Sequence, residues 1–343
     1  MRCNCSRNEE ESMVKEKNKK PTILYLYKHD RSFVKRDLDM LMKHFNVIPF
    51  RFSFRKIFRL FTLMPKSDVV FIWFASYHAF IATIFAKLFS KKLVIVTGGY
   101  DVAGEKEINY GLMINPFTRR MVKFILKNAD KILAVSEFNR REIEKYVNIQ
   151  NVEVVYNSVD HDKFFPSGKK EKMVLTVGFI TWENIKRKGL ETFVRSAKYL
   201  PDVKFVLVGA FKDGSIDFLK SISTSNVEFV GYVSDEELIK YYQKAKVYCQ
   251  LSYYESFGMA PAEAMLCECI PVVTNKGALP EVVGNTGFYV PYGDDKVTSD
   301  AIKDALRASE DLGKRARERV VRLFSHNVRE KKLVDIMIRL VEQ

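Results

Sequence analysis

Short apolar segments alternate with segments of helical periodicity along almost the whole chain. This alternation predicts an α/β protein in which parallel sheets are wrapped by helices. The strands fall into two sets, so the pattern predicts two sheets. The first set lies near residues 23–27, 46–50, 69–73, 93–97, 131–135 and 153–156, and the second near residues 173–178, 204–208, 227–230, 247–251, 270–274 and 287–290.

The length of 343 residues is compatible with about two domains. The polar stretch 161–172, with Pro166, Ser167 and Gly168, is interpreted as the linker. We therefore predict a charged, disordered tail at 1–20, a first Rossmann-like domain at 21–165 and a second at 166–326. A last helix is predicted at 327–343. The tail has no apolar h-region, so it is not interpreted as a signal peptide.

The net charge is uneven. Residues 1–150 contain 28 Lys and Arg against 15 Asp and Glu, a difference of +13, whereas the remainder has 28 against 27, or +1. A field of this kind attracts an anionic partner such as lipid phosphate, a membrane surface or nucleic acid. The five cysteines, an odd number in a long chain, favour a reducing compartment and predict a cytoplasmic protein.

Glu255 and Glu263 are eight positions apart. Because the apolar run 247–251 is interpreted as a buried strand, the first carboxylate is expected in a loop and the second one turn inside a helix. Ser256 can cap this helix, and Pro261 suits its first turn. Free N–H groups at the helix N-terminus favour a diphosphate, and the carboxylates can accept hydrogen bonds from sugar hydroxyls. The alternative is a capped surface helix.

Further motifs surround this pair in order. They are Val155-Tyr156-Asn157-Ser158-Val159-Asp160, Val177-Gly178, Arg187-Lys188-Gly189-Leu190, Val206-Leu207-Val208-Gly209, Cys269-Ile270-Pro271-Val272-Val273-Thr274, Gly277-Ala278-Leu279-Pro280-Glu281 and Gly287-Phe288-Tyr289-Val290. With these motifs the chain resembles the retaining glycosyltransferase family 4, or glycosyl transferases group 1, from about residue 21 to the C-terminus. The resemblance implies the GT-B fold, in which two Rossmann-like, doubly wound parallel-sheet domains face each other across a cleft and the last helix packs back on the first domain.

The resemblance also implies that the second domain binds a nucleoside-diphosphate sugar. Lys188 is expected to bind the donor phosphates, Glu255 the hydroxyls of the transferred sugar and Glu263 the ribose. Lys188 and Glu255 are the expected catalytic residues of this domain, and Glu263 is expected to serve binding. The other expected donor-binding residues are Asn157, Gly178, Gly209, Ser256, Phe257, Gly258, Met259, Gly277, Ala278 and Leu279. For the turn at 277–279, a purely structural role is the alternative.

The chain departs from the family pattern at three places. Phe179 stands where the family has an arginine, so Arg187 or Lys186 is expected to supply the missing charge. Gly98 stands where the family has a histidine. The glycine-rich loop after the first strand is replaced by 28–31, Lys-His-Asp-Arg, whose charge favours a phosphate-bearing acceptor.

The acceptor is expected at Lys28, Arg31, Gly99 and Tyr100 in the first domain. Asp101 has two possible roles, which the sequence leaves open. As a catalytic residue it would orient a sugar, and as a structural residue it would cap its own loop.

A basic amphipathic helix is predicted after the second strand, where Arg51, Arg55 and Arg59 recur at helical spacing opposite apolar residues. It can dock on an anionic membrane surface, which would suit a lipid-linked acceptor. An ordinary core-facing helix is the alternative. The apolar stretch 69–89 is long enough to span a membrane, but it is better interpreted as a strand, a break and a core helix.

The leading hypothesis is a metal-independent, retaining hexosyltransferase that moves a sugar from a nucleotide sugar to a lipid-linked sugar or surface glycan precursor. The alternatives are a non-hydrolysing sugar-nucleotide epimerase of the same fold and a non-catalytic module that binds lipid or RNA. Nucleic acid is not the expected partner, because no recognition helix or stacking sheet is evident.

No metal or other cofactor is expected. The motif Asp37-x-Asp39 matches a metal-binding motif of another glycosyltransferase fold, but it lies inside a predicted helix. The pairs Cys3-x-Cys5 and Cys267-x-Cys269 have a spacer that is short for zinc, and no histidine cluster accompanies them.

Overall fold

The computed structural model describes residues 20–342 and contains two six-stranded parallel sheets. The strand order is β2-β1-β3-β4-β5-β6 in the first sheet and β12-β11-β10-β7-β8-β9 in the second. The predicted α/β architecture with two doubly wound sheets is therefore confirmed. The tail predicted at 1–20 lies outside the described residues except for Lys20.

The first sheet and its helices follow the predicted pattern closely. The elements are β1 (Thr22–Tyr27), α1 (Ser32–His44), β2 (Asn46–Arg51), α2 (Ile57–Leu63), β3 (Val69–Trp73), α3 (Tyr77–Leu88), β4 (Lys92–Thr97), α4 (Pro116–Asn128), β5 (Lys131–Ala134), α5 (Glu137–Glu144) and β6 (Val152–Val154). The stretch 69–89 is a strand, a turn and a helix, as predicted. In the described part of the chain, no helix has the length and apolarity needed to cross a bilayer.

The second sheet follows after the polar stretch. Its elements are β7 (Glu171–Val177), α6 (Trp182–Arg187), α7 (Leu190–Ser196), β8 (Lys204–Val208), α8 (Ser215–Ser221), β9 (Val227–Gly231), α9 (Asp235–Lys244), β10 (Ala245–Gln250), α10 (Met259–Leu266), β11 (Ile270–Thr274), α11 (Leu279–Val283), β12 (Phe288–Val290), α12 (Asp295–Arg307), α13 (Glu310–Phe324) and α14 (His326–Val341).

The central strands are apolar on both faces because helices cover both sides of each sheet. All five residues of β3 and all five of β11 are buried. One face of the first sheet packs on α2, α3 and α4, and the opposite face packs on α1 and on the last helix, α14. The chain therefore returns to its first half after completing the second.

A buried ion pair fixes α14 to the first half. Arg329 donates from Nε and Nη2 to the Asp37 carboxylate at 2.6 and 2.7 Å, and Trp73 Nε1 donates to the same carboxylate at 3.1 Å. Arg329 also donates to the carbonyls of Val155 and Tyr156. Asp37 lies inside α1, as predicted, and its role in the structure is to hold the returning helix.

Candidate functional site

A cleft of about 600 Å³ lies between the two sheets. Its lining residues follow strands of both sheets: Arg31 follows β1, Gly98 follows β4, Gly178 follows β7, Gly209 follows β8 and Tyr232 follows β9. The carboxyl ends of the two sheets thus face each other, which is the end at which open α/β sheets bind ligands.

Lys188 and Glu255 meet on the second-domain wall of the cleft. Lys188 Nζ is 4.0 Å from Glu255 Oε2, and each side chain is about one-sixth exposed. Burial lowers the pKa of Lys188, while the Glu255 carboxylate acts in the opposite direction. Gln250, another cleft-lining residue, donates from Nε2 toward Glu255 Oε2 at 3.5 Å. The pair therefore presents one cation and one acceptor to the cleft.

Two tight turns support this wall. A side chain at Gly209 would overlap the carbonyl of Gly178, so the ends of β7 and β8 approach as closely as glycine permits. Gly277 has φ +62 and lies directly behind the backbone of Glu255, whose carbonyl accepts from Ala278 N at 2.8 Å. Ala278 and Leu279 are fully buried. This geometry favours the purely structural role for the turn at 277–279.

The N-terminus of α10 opens into the same cleft. Gly258 is its N-cap with φ +100, and no side chain caps the helix. Ser256, expected as the cap, instead donates from Oγ to the carbonyl of Gly98 at 2.7 Å, and its own carbonyl accepts from Ser136 Oγ at 2.6 Å. The first N–H groups of α10 consequently keep their capacity to bind an anion.

Phe257 is buried and packs on Tyr156 and Phe324, so only its backbone can serve a ligand. Met259 and Asn157 both line the cleft. The Oδ1 atom of Asn157 is buried and has no hydrogen-bond partner among residues 20–342. The loop 256–259 therefore presents mainly backbone groups, with Asn157 beneath it.

Glu263 lies one turn inside α10, as predicted, and lines the cleft. Burial raises the pKa of Glu263 to about 7, and the charges of Arg36 and Lys163 act against this shift. Tyr242 donates its hydroxyl toward the carboxylate at 3.4 Å. Glu263 is thus a carboxyl group whose protonation changes near neutral pH.

Arg187 is the cation that joins Lys188 in the cleft. Its guanidinium donates to Asn184 Oδ1 at 2.6 Å and lies 5.1 Å from the ring centroid of Tyr110, across the cleft. Lys186 is exposed and does not line the cleft. Of the two candidates for the missing charge, the geometry favours Arg187.

Asp101 is turned into its own loop. Its carboxylate accepts the N–H groups of Ala75, Gly98 and Gly99 at 2.9, 3.1 and 2.9 Å. The side chain is 1% exposed, and burial raises its pKa. Of the two roles left open by the sequence, this geometry favours the structural one.

Of the other residues expected to bind an acceptor, Arg31 lines the cleft, whereas Lys28, Gly99 and Tyr100 are not among its lining residues. Lys28 Nζ lies 4.6 Å from the ring centroid of Tyr77. Gly99 packs directly on the Ser256 side chain. Tyr100 is half exposed, with its ring 5.1 Å from that of Tyr110. Arg31 and Tyr100 are therefore available to a ligand, whereas Gly99 forms an interdomain contact.

Two family models match the chain. The model described as Glycosyl transferases group 1 matches residues 159–320, and the model described as Glycosyltransferase Family 4 matches residues 17–163. Together the two matches cover residues 17–320, and the chain belongs to the glycosyltransferase family that they describe. The family resemblance inferred from the motifs is therefore confirmed.

Curated relatives are similar over part of the chain. The O-antigen chain mannosyltransferase RfbU of Salmonella typhimurium is 28% identical over 55% of this chain and 54% of that protein. The N-acetyl-alpha-D-glucosaminyl L-malate synthase of Bacillus anthracis is 25% identical over 75% of this chain and 71% of that protein. O-antigen chain mannosyltransferase B of Escherichia coli is 27% identical over 53% of each. The chain spans about half the length of the two mannosyltransferases.

Solved structures confirm the GT-B fold. The sucrose-phosphate synthase of Thermosynechococcus elongatus superposes with a TM-score of 0.74 at 18% identity, over 93% of this chain and 99% of that chain. HepE of Anabaena, in complex with UDP, superposes with a TM-score of 0.76 at 15% identity, over 93% of this chain and 100% of that chain. At these identities the likeness concerns the fold alone.

The departure from the family pattern at Gly98 has a steric cause. A side chain at Gly98 would overlap the ring of Phe74. Phe74 has φ +72, an uncommon conformation for a bulky residue, at the end of β3. Phe33, which lines the cleft, lies 6.2 Å from Phe74 between ring centroids. In this chain, aromatic rings occupy the place of the histidine.

Several cleft residues were missed by sequence reasoning. They are Phe33, Tyr110, Asn184, Tyr232, Asp235 and Gln250. Tyr232 is 80% exposed directly after β9, so an aromatic residue following the strand-ending Gly231 was a usable signal. Tyr110 carries no such signal, because it belongs to a long irregular loop after β4.

Proposed function

We propose that this protein transfers a sugar from a nucleoside-diphosphate sugar to a glycan or lipid-linked acceptor, with retention of anomeric configuration and without a metal. The observation that carries the proposal is the meeting of Lys188, Glu255 and the uncapped N-terminus of α10 in one cleft. A cation and open N–H groups suit a departing diphosphate, and a carboxylate suits sugar hydroxyls.

The donor is proposed to lie along the second-domain wall. Lys188 and Arg187 bind the diphosphate, and Glu255 accepts hydrogen bonds from the transferred sugar. Glu263 binds the ribose, and the turn after β8, at Gly209, leaves room for the base. Among similar structures, HepE of Anabaena was solved with UDP-glucose, which supports a nucleotide-sugar donor of this class.

Retention and metal independence are supported by the placement of charge. Among the described cleft-lining residues the carboxylates are Asp235, Glu255 and Glu263, all from the second domain. The first domain contributes the cation Arg31 to the lining. A front-face attack assisted by the leaving phosphate fits this arrangement, with cationic side chains stabilising the departing charge.

The acceptor is proposed to enter from the first-domain wall, beside Arg31 and Tyr100. Relatives named as O-antigen mannosyltransferases support an acceptor that belongs to a bacterial surface glycan. Lipid-linked precursors of such glycans carry phosphate, which suits Arg31 and Lys28. We further propose a cytoplasmic protein that works at the membrane face.

A ligand screen followed by a transfer assay tests the proposal. Thermal shift with UDP, GDP and their sugar conjugates is expected to show stabilisation by one nucleotide family, because a ligand of the folded state raises its melting temperature. Release of nucleoside diphosphate is then expected only when an acceptor is added. An isomerised nucleotide sugar formed from donor alone would instead establish the epimerase alternative, and no stabilisation by any nucleotide would overturn both.

A further inference from the structure

One helical face of the first domain contains no acidic residue. Helices α2, α3 and α4 pack side by side on the same face of the sheet, with Phe61 5.3 Å from Phe85 and Phe80 5.2 Å from Phe124 between ring centroids. Residues 54–63, 77–88 and 116–128, called the three-helix face below, include no Asp or Glu. Such a complete absence of one charge sign is unusual for a solvated surface, which ordinarily mixes both.

The three-helix face carries eight cations. They are Arg55, Lys56, Arg59, Lys87, Arg119, Arg120, Lys123 and Lys127. Within residues 20–342, none of them forms an ion pair with a carboxylate. Arg119 uses its guanidinium to hold the carbonyls of Met113 and Ile114, and the others are directed to solvent or partly buried. The positive field of this surface is therefore not neutralised locally.

Large apolar side chains stand among these cations. Those exposed to solvent are Phe54, Phe58, Phe61, Ile84, Leu88, Phe117 and Phe124. Phe58 is 80% exposed, Phe117 77% and Leu88 66%. The helix predicted from the spacing of Arg51, Arg55 and Arg59 is shorter than expected, because Arg51 ends β2, Arg55 lies in a 3₁₀ turn at 54–56 and only Arg59 lies in α2. Leu60 and Met64 are buried and Ile57 and Leu63 pack partly on the core, whereas Phe54 and Phe58 project outward beside the arginines.

Exposed rings and aliphatic chains among unpaired cations fit the interface of an anionic bilayer. The apolar groups enter the boundary between headgroups and acyl chains, and the cations bind lipid phosphates. A nucleic acid would use the cations and the rings, but unlike a bilayer it has no acyl region to accept the exposed aliphatic chains of Ile84 and Leu88. We infer that the three-helix face docks this protein on an anionic phospholipid membrane.

This surface adjoins the cleft. Phe54 stacks on Tyr77 at 5.3 Å between ring centroids, and Lys28 Nζ lies over the same Tyr77 ring. Helices α2, α3 and α4 follow strands whose carboxyl ends face the cleft, so their N-terminal ends lie on that side. If the proposed function holds, a lipid-linked acceptor meets Lys28 on its way from the bilayer to the cleft.

Vesicle flotation of the full chain tests the inference. With vesicles of phosphatidylglycerol and phosphatidylcholine at low salt, the wild type is expected to float. The double variant R55E/R59E is expected to bind at least about 25-fold more weakly, since one cation near such a surface contributes about fivefold. The matched control is K303E/K314E, which makes the same charge change at exposed residues of the second domain and is expected to bind like the wild type.

A second pair of variants separates insertion from simple charge attraction. F58A/F117A removes exposed rings and leaves the charges unchanged. Because salt screens charges but not apolar contacts, its loss of vesicle binding relative to the wild type is expected to persist at high salt. The loss caused by R55E/R59E is expected to shrink there. Equal loss in R55E/R59E and K303E/K314E would overturn the inference, as would failure of the wild type to bind anionic vesicles. Binding of a polyuridine oligonucleotide that displaces the vesicles would assign the surface to nucleic acid instead.

Nucleotide thermal shift on the same variants separates this inference from the proposed function. R55E/R59E is expected to keep the wild-type shift, because neither arginine lines the cleft. Vesicle binding without any nucleotide shift would overturn the proposed function and leave the membrane surface standing. A nucleotide shift without vesicle binding would overturn the membrane surface alone.

Discussion

The two walls of the cleft use their polar residues in opposite ways. On the second-domain wall, Lys188 and Glu255 face the cleft, and glycine turns support them from behind. On the first-domain wall, the Asp101 carboxylate accepts hydrogen bonds from the backbone of Ala75 and Gly99, and Phe74 fills the space beside Gly98. The second-domain wall therefore offers charges to a ligand, whereas the Asp101 carboxylate and the Phe74 ring fix the shape of the first-domain wall. If the proposed function holds, the second-domain wall, called the donor wall below, binds the donor through side-chain charges, whereas the first-domain wall, called the acceptor wall below, fits the acceptor by packing around the single cation Arg31 among its described lining residues.

The largest expected effect concerns the pair that holds α14 on the first half. Asp37→Ala leaves the buried Arg329 without its counterion, which is expected to lower the free energy of unfolding of the first half by about 3–5 kcal/mol. Urea unfolding followed by tryptophan fluorescence in a Trp182→Phe background measures it, because the signal then comes from the buried Trp73, whose side chain donates to Asp37. Both walls of the cleft depend on this ion pair, since α14 connects the second half of the chain back to the first.

Asp39→Ala is the matched control for this change, because Asp39 lies two residues away on the exposed side of α1. It is expected to alter stability by less than about 0.5 kcal/mol. The double variant D37L/R329M is expected to recover most of the loss, since no unpaired buried charge remains. An unstable double variant together with a stable D37A would contradict the assignment.

The next largest effect is expected on the donor wall. Lys188→Ala should lower turnover by about 10²–10³-fold, because removing a preorganised group that stabilises developing charge typically costs that much. Lys186→Ala, two residues away and outside the cleft, is the matched control and should retain turnover. Assays with saturating acceptor measure both. Equal turnover of the two variants would contradict the claim that the donor wall acts through its charged side chains.

The fold was predictable because local pattern decides it. All twelve predicted strands are present, and the strand, break and helix at 69–89 were recovered. In β3 and β11 every residue is buried, so an apolar run of strand length is an unambiguous signal there. The donor wall was predictable for a similar reason, since Lys188, Glu255 and Glu263 belong to short motifs and all line the cleft.

The acceptor wall was less predictable because its contacts join residues far apart in sequence. Phe74 fills the space beside Gly98, 24 positions away, and Tyr110 meets Arg187 from the opposite domain. Ser256 donates to the carbonyl of Gly98 instead of capping its helix. This hydrogen bond forms only because the two domains meet there. Local spacing contains none of this information.

Alanine at two glycines sharpens the contrast between the walls. At Gly98 the new methyl group would overlap the Phe74 ring, so Gly98→Ala is expected to destabilise the protein by about 1–3 kcal/mol through overpacking. At Gly178 the methyl group would lie 2.8 Å from Lys188 Cδ, a flexible side chain that can move. Gly178→Ala is therefore expected to lower turnover while leaving the melting temperature nearly unchanged.

The double variant G98A/F74A tests the steric cause directly. Removing the ring creates room for the methyl group, so the double variant is expected to be more stable than the sum of the two single changes predicts. Thermal melting of the four proteins gives the coupling free energy. Strict additivity would mean that Phe74 does not determine what fits at position 98.

The smallest expected effect is the pH dependence of stability contributed by Glu263 on the donor wall. Burial raises the pKa of Glu263 from 4.5 to about 7, so the folded protein binds a proton that the unfolded chain has lost between those values. Stability is therefore greatest below pH 4.5 as far as this group is concerned, falls as the pH rises toward 7 and is constant above it. Glu263→Gln should remove this contribution to the slope between pH 4.5 and 7.

Nucleotide binding should follow the opposite course. Only the ionised Glu263 accepts two ribose hydrogen bonds without also donating its proton, so affinity for the nucleotide that stabilises the wild type should rise by up to about tenfold between pH 6 and pH 8, equivalent to about 1.4 kcal/mol. E263Q should bind with one affinity across this range, and Asp235→Asn, at another cleft carboxylate, should keep the wild-type slope. A slope that survives in E263Q would place the titrating group elsewhere, with the phosphate of the ligand as the first alternative, because its second pKa lies near 6.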